Sequence, residues 1–366
     1  MKATVTGALR AFLPGYLRGN PPLTPDSKRA IWAITHCRTP VMGGHLYACP
    51  GCGKHAFAYH SCNHRACPQC GKAATAKWVG RELEKRVNAP YFMVTFTLPA
   101  ELREIFFGPR AKDAFDLFFS ATSKALAEKL ARPKAIGAKK SGFTGVLHTW
   151  GQRLQFHPHI HYIVPGAGLD ENGNFTRVKN ANFLAPLPPL RRAFRHHFRR
   201  LLTSVGWRVD PAVWTKDWGV NIRPFGPGQN AIKYLGTYVA RTAITDARIV
   251  SADGSSVTFR WKDRGQGGRI RTQTVAGTGF VRRYLRHVLP RGLRSIRYFG
   301  FCHPAAKRSR ERVAFLSGKT LRVGPDDDRP APDLPSATPR CPCCQQPMTA
   351  ILSFPPAWSR GPPLPA

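Results

Sequence analysis

The chain has 366 residues, 42% of them hydrophobic, which is enough to bury a substantial core and excludes wholesale disorder. Its 56 Lys and Arg against 20 Asp and Glu leave a formal charge of +36, a surplus that calls for a polyanionic partner: nucleic acid, a ribosome or an anionic membrane surface. No apolar run approaches the roughly 18 residues of a spanning helix. The N-terminal MKATVTGALRAFLPGYLRGNPPLTP has no small-residue cleavage site after an apolar core, so no membrane association and a cytoplasmic, nucleoid-associated location are expected.

Residues 1–24 read as an N-terminal arm ending in the Pro-rich NPPLTP. Asp26 or Ser27 is placed to cap a helix through KRAIWAITHC. Residues 25–87 hold most of the cysteines and form a first domain, closed by a helix over Lys72–Val87 that Asn88-Ala89-Pro90 breaks. Residues 88–323 read as one larger α+β domain. In it, Tyr91–Leu98 (YFMVTFTL) is a buried strand, and Ala111–Leu130 sets Phe115, Phe118, Phe119, Leu126 and Leu130 on one helical face. Phe143–Trp150 and Phe156–Val164 read as the strands of a hairpin, and Asn172-Gly173 marks a second turn. Residues 188–206 form a basic amphipathic helix, with Arg191, Arg192, Arg195, Arg199 and Arg200 around Phe194, Phe198 and Leu201. A further helix carries AIKYLGTYVARTA, and Arg282–Arg312 is a second basic segment interrupted by Pro290. Residues 324–340 are a linker by composition, and 341–366 a Cys-containing C-terminal tail.

Six of the ten cysteines fall between Cys37 and Cys70, a clustering that favours metal over disulfides in a cytosolic protein. Cys49-Pro-Gly-Cys52 and Cys67-Pro-Gln-Cys70 are two CxxC knuckles with 14 residues between them, and read together as a structural zinc site. Cys37, His45, Cys62 and His64 remain nearby for a second zinc, with His36, His55 and His60 as further candidates. Cys341, Cys343 and Cys344 offer another half-site whose partners the sequence leaves open; Cys302 and His303 are weak candidates.

The most informative segment is FHPHIHYIV, residues 156–164. Side chains alternate along a strand, so His157, His159 and His161 project to one side and Ile160, Tyr162 and Val164 to the other. Three imidazoles on one face suit a divalent cation better than a core or a solvated surface. His148, on the preceding strand, can approach the same ion, while Pro158 argues against a central strand position at that residue. Tyr234 and Tyr238 lie four apart on their helix and so share a face, with Lys233 and Arg241 near enough in sequence to neutralise a phosphate. Taken alone, the pair reads as core aromatics; beside a metal site it offers nucleophiles. Gly318-Lys319-Thr320 looks like the end of a phosphate-binding loop, but Val313 stands where its first glycine belongs.

These motifs together resemble a known family. HPHIHYIV is similar to the His-hydrophobic-His motif of HUH endonucleases, VTFTL to their first motif and YLGTY to their two-tyrosine motif. The cysteine segment from Cys37 to Cys70, HTWGQRLQFHPHIHYIVPGAG and FVRRYLRHVLPRGLRSIRYFG resemble transposases of the insertion sequence 91 family, over about residues 25–350. The resemblance implies an HUH endonuclease-like central antiparallel sheet with helices on one face, plus an N-terminal zinc-binding module. It implies a transposase that nicks and rejoins single-stranded DNA at transposon ends through a 5′-phosphotyrosine, in rolling-circle transposition. Tyr234 and Tyr238 would be the nucleophiles, and His159 and His161 would hold Mg²⁺ or Mn²⁺ with His157 or His148 as third ligand. Zinc would sit among Cys49, Cys52, Cys67, Cys70, Cys37 and Cys62. DNA would meet Lys233, Arg241, Arg191, Arg195 and Arg199, and a homo-oligomer is compatible with this reading. A plasmid or phage replication initiator and a non-enzymatic zinc-finger nucleic-acid binder are the competing readings.

Overall fold

A computed structural model of the chain describes residues 3–20, 22–70, 72–239, 242–318 and 338–357. In chain order the elements begin with α1 (Val5–Arg18), α2 (Pro25–His36), β1 (Gly44–Ala48), β2 (His55–Tyr59), α3 (Lys72–Glu84), β3 (Pro90–Thr97) and α4 (Ala111–Leu130). There follow β4 (Lys140–Trp150), β5 (Phe156–Pro165), β6 (Ala167–Leu169), β7 (Phe175–Arg177), α5 (Leu187–Ser204), β8 (Gly219–Pro227) and α6 (Gly228–Val239). The last are β9 (Ile249–Asp253), β10 (Ser256–Asp263), β11 (Arg269–Ala276), α7 (Gly277–Leu285), β12 (Ile296–Gly300), α8 (Lys307–Leu316) and β13 (Thr349–Phe354). They make two compact units: Met1–Ala74 with Ala240–Val288 and Gly324–Ala366, and Thr75–Val239 with Leu289–Val323.

The second unit is built on an antiparallel sheet of order β7-β6-β4-β5-β3-β8, with β12 also paired to β4. Alternation along the central strands sorts two faces. Phe92, Val94 and Phe96 of β3 and Ile160, Tyr162 and Val164 of β5 are buried together with Phe115, Phe118 and Phe119 of α4 and Phe194 and Phe198 of α5. Thr122 ties this layer down, its Oγ1 2.8 Å from the Tyr162 hydroxyl. The other face buries Val146, Ile163 and Leu169 with Trp78 of α3, Ala231 and Ile232 of α6 and Val313 of α8. Helices therefore cover both faces, where one was expected. The second layer is assembled from α3, α6 and α8, short pieces far apart in sequence, so no single amphipathic run announces it.

Pro158 lies inside β5, and the reason is local. Pairing with β3 reaches only Thr97 opposite His159, and pairing with β4 is bulged between His148 and Trp150. A residue without an N–H costs little where the ladder is already interrupted. The basic segment 282–312 is a helix end, a strand and a helix rather than one element.

In the first unit the N-terminal stretch, read above as an arm, is helix α1 with Val5, Ala8 and Leu9 fully buried. It packs on α7: a Cβ at Gly277 would meet the Phe12 ring at 2.1 Å, so only glycine allows this approach. Helix α2 starts two or three residues earlier than expected. Thr24 is its N-cap, accepting from Ser27 N–H at 3.2 Å, with Pro25 preset for the first turn. Strands β9, β10 and β11 form a separate antiparallel meander. Residues 240–288 thus group with the cysteine-bearing unit, although their sequence was read as part of the 88–323 domain. Strands β2, β1 and β13 form a three-stranded sheet, so the expected tail contributes a strand to it through Thr349–Phe354. Most of the 324–340 linker and the Lys319–Thr320 decoy lie outside the described residues. Among the described residues no helix is long and apolar enough to cross a membrane.

Candidate active site and metal centres

The register of the large sheet brings three imidazoles together. β4 sets His148 opposite His159 of β5, and β3 sets Thr95 opposite His161. The ligand nitrogens of His148, His159 and His161 lie within 4.8 Å of one another, and the ring centroids of His159 and His161 are 4.8 Å apart. Two further contacts orient the rings. His159 Nδ1 is 2.7 Å from the His157 carbonyl oxygen, to which it can only donate, and this makes Nε2 the atom suited to an ion. His161 Nδ1 is 2.8 Å from Thr95 Oγ1, a partner that holds its ring in the same sense.

Of the two candidates for third ligand, the structure brings in His148 and not His157. His157 precedes the part of β5 that pairs with β3 and lies at the bulge opposite β4, and its Nδ1 lies 3.2 Å from Arg103 Nη2. Burial, and then the Arg103 charge, lower its pKa, so it stays neutral at physiological pH.

Residues paired across strands share a face. His161, Thr95 and Asn221 of β8 therefore form one row, His148, His159 and Thr97 a second, and Met93 pairs with Arg223 in a third. Asn221 and Arg223 are exposed, and Thr95 and Thr97 half-exposed, so this end of the face is polar and open. Sequence reading did not single out these four residues. The alternation in VTFT held the signal for the threonines, whereas β8 was not foreseen as a strand.

Helix α6 belongs to the same sheet face as the histidines, because Ala231 and Ile232 pack with Val146 and Ile163. Tyr234 is half-buried, its ring 5.1 Å from that of Phe225, and Lys233 is exposed. Tyr238 follows one turn later on the helix backbone; its side chain, and all of Arg241, lie outside the described residues. Arg191, Arg195 and Arg199 do not share this setting. Their helix, α5, buries Leu190, Phe194 and Phe198 against the opposite face of the sheet, and Arg199 lies over the Trp214 ring at 5.6 Å.

The cysteines form two groups of four. Cys37, Cys62, Cys67 and Cys70 converge within 4.8 Å, as do Cys49, Cys52, Cys341 and Cys344. The two knuckles are therefore separated, each with partners of its own, and the adjacency in sequence that joined them was misleading. In the first group hydrogen bonding, chiefly from Cys62, lowers the Cys67 thiol to about 6, while burial pushes Cys37 up to about 12. Cys67 is thus a thiol that ionises readily, as a thiolate metal ligand must. His45 and His64 belong to neither group. His45 Nδ1 is 2.7 Å from Ser353 Oγ, and His64 Nδ1 accepts from Ala66 N–H at 3.2 Å. Cys302 and His303 lie in the second unit, where burial raises the Cys302 thiol to about 12 and His303 Nδ1 accepts from Ala305 N–H.

Fold and sites define an α+β protein with a zinc-binding module and a histidine triad on an antiparallel sheet. The comparisons with known proteins agree. The family described as "Putative transposase" matches residues 142–310, which include the triad and both tyrosines, and the "Transposase zinc-binding domain" matches residues 8–98. A relative described as a putative transposase, y4qJ, from Sinorhizobium fredii is 35% identical over 88% of this chain and 92% of its own length. The transposase for insertion sequence element IS801 from Pseudomonas savastanoi pv. phaseolicola is 27% identical over 72% of this chain and 67% of its own. No solved structure matches. The chain belongs to the insertion sequence 91 family of transposases, and DNA is its partner.

Proposed function

We propose that this transposase nicks and rejoins single-stranded DNA at the ends of its element through a 5′-phosphotyrosine, and so drives rolling-circle transposition. The observation that supports this most is the shared sheet face of the histidine triad and of helix α6, which carries Tyr234 and Tyr238. The phenol oxygen of Tyr234 or Tyr238 attacks the scissile phosphorus, and the bond from phosphorus to the 3′ oxygen breaks. That oxygen takes up a proton and leaves as a 3′-OH, while the 5′ phosphate stays esterified to the tyrosine. The ester keeps the bond energy, so attack by a 3′-OH reseals a strand without ATP.

His148, His159 and His161 would hold the Mg²⁺ or Mn²⁺ ion, and Thr95 and the His157 carbonyl keep two of those rings aimed. When bound, the ion would neutralise charge on the phosphate oxygens. Lys233, exposed on α6, and Arg241 would hold flanking phosphates. Arg191, Arg195 and Arg199 would serve DNA further from the reacting centre, on the far side of the sheet. Membership of a transposase family weighs against a replication initiator.

The test is a labelled single-stranded oligonucleotide carrying the element end, incubated with Mg²⁺ or Mn²⁺ and run on a denaturing gel. A protein-bound product is expected, absent from the Tyr234→Phe/Tyr238→Phe double variant. Undiminished nicking by that variant would contradict the nucleophile assignment, and binding without any nicking by the wild type would return the zinc-finger reading.

A further inference from the structure

The described segment after residue 337 opens with a cysteine knuckle, Cys341–Cys344, that the transposase zinc-binding domain, matched over residues 8–98, does not include. We propose that Cys49, Cys52, Cys341 and Cys344 hold a second structural zinc ion, distinct from that of Cys37, Cys62, Cys67 and Cys70, and that it closes a ribbon in which β13 joins β1 and β2.

Four observations carry this. The first is sulfur geometry. Cys49 Sγ is 3.3 Å from Cys344 Sγ, Cys52 Sγ is 3.5 Å from Cys341 Sγ, and Cys344 Sγ is 3.7 Å from Cys52 Sγ. Tetrahedral coordination at the usual zinc–sulfur length sets sulfurs about 3.8 Å apart, a short relaxation from these separations.

The second is that the two knuckles are copies of one another. In the first, Gly53 N–H donates to the Cys49 carbonyl at 2.9 Å and Cys49 N–H to that of Lys54 at 2.9 Å. In the second, Gln345 N–H donates to the Cys341 carbonyl at 2.9 Å and Cys341 N–H to that of Gln346 at 2.8 Å. Each has proline after its first cysteine, and each turns through a left-handed residue after its last, Gly53 at φ 70° and Gln345 at φ 60°. Gln345 accepts a conformation that side chains avoid, and the match with Gly53 shows what the turn is shaped for. In addition, Cys343 N–H points at Cys341 Sγ at 3.4 Å, the kind of donor that stabilises a thiolate.

The third is topology. β13 pairs antiparallel with β1 from Gly44 opposite Phe354 to Ala48 opposite Thr349, which makes β1 the central strand and delivers the second knuckle to the first.

The fourth is how little apolar burial this sheet has among the described residues. The core of this small sheet is Cys49, Cys341 and Met348 with Tyr47 and Ala56 against them, while Phe57, Ile351 and Leu352 are 60, 53 and 56% exposed. Burial on that scale does not hold three strands together, and modules of this size depend on metal.

The experiment is metal analysis of the full chain purified under reducing conditions without chelator, alongside alkylation and mass spectrometry to exclude disulfides. The wild type is expected to carry two zinc ions per chain. Cys341→Ser/Cys344→Ser should carry one, as should Cys49→Ser/Cys52→Ser, whereas Cys343→Ser should keep both. Cobalt substitution gives an independent readout: the thiolate-to-metal charge-transfer absorption should halve in each double variant. One zinc per wild-type chain, or two retained by Cys341→Ser/Cys344→Ser, would overturn the proposal, and so would a Cys49–Cys344 or Cys52–Cys341 disulfide in the reduced protein. None of these outcomes depends on nicking.

Discussion

The Nδ1 atoms of His159 and His161 are engaged by different partners, a carbonyl of the same strand and the hydroxyl of Thr95 on the neighbouring strand. The first contact survives any side-chain change at residue 157, but the second is a single oxygen that mutation can remove. Thr95 is thus a positioning residue. Thr95→Val keeps the shape and β propensity of the site and deletes the hydrogen bond. Partners of this kind are worth about 10–100-fold in metal affinity. Calorimetric titration with Mn²⁺ should show that loss with the fold intact by circular dichroism; an unchanged Kd would mean that the contact does not orient the ligand. At this scale much was legible. Strand alternation set His157, His159 and His161 on one side, and β5 does leave these three half-buried while it buries Ile160, Tyr162 and Val164. Which of His148 and His157 completes the triad depended on the β4 register, which a hairpin read without its bulge does not fix.

Helix α6 shows why its sequence is YLGTY and not simply two tyrosines four apart. Gly236 lies on the face away from Tyr234 and Tyr238, and there α6 crosses α3 so closely that a Cβ would sit 2.1 Å from Val79 Cγ2. Glycine in a helix costs about 1 kcal/mol relative to alanine, so it persists here because the crossing admits nothing larger. Gly236→Val should destabilise the chain by about 1–3 kcal/mol, the usual range for overpacking. In a Val79→Ala background the cost should shrink, as read by denaturant unfolding. Equal costs in both backgrounds would show that the crossing is not the constraint. Other elements were plain from sequence: α4 runs over the residues its phenylalanine stripe marks, and its stripe is buried. The β9–β11 meander went unread although Asp253-Gly254, with Gly254 at φ 50°, marks its first turn and RIRTQTVA alternates. Its strands leave much of their length exposed, so no apolar run drew attention to them.

Across the whole molecule, what the sequence concealed was long-range pairing. Cys49 and Cys52 meet Cys341 and Cys344 across some 290 residues of chain, and reasoning from spacing favours the nearest knuckle instead. The same limit hid the return of residues 240–288 to the cysteine-bearing unit and the second helical layer on the sheet. Local chemistry survived that limit because the histidines lie on one hairpin and the tyrosines on one helix. Nicking by the proposed route requires those two elements to serve one phosphate. Mass-spectrometric mapping of the covalent DNA adduct tests this most directly. The nucleotide should be found on the tryptic peptide YLGTYVAR, residues 234–241, only with Mg²⁺ or Mn²⁺ present, and should be lost in His159→Ala/His161→Ala. An adduct on another peptide, or one formed as well without the ion or the histidines, would contradict it.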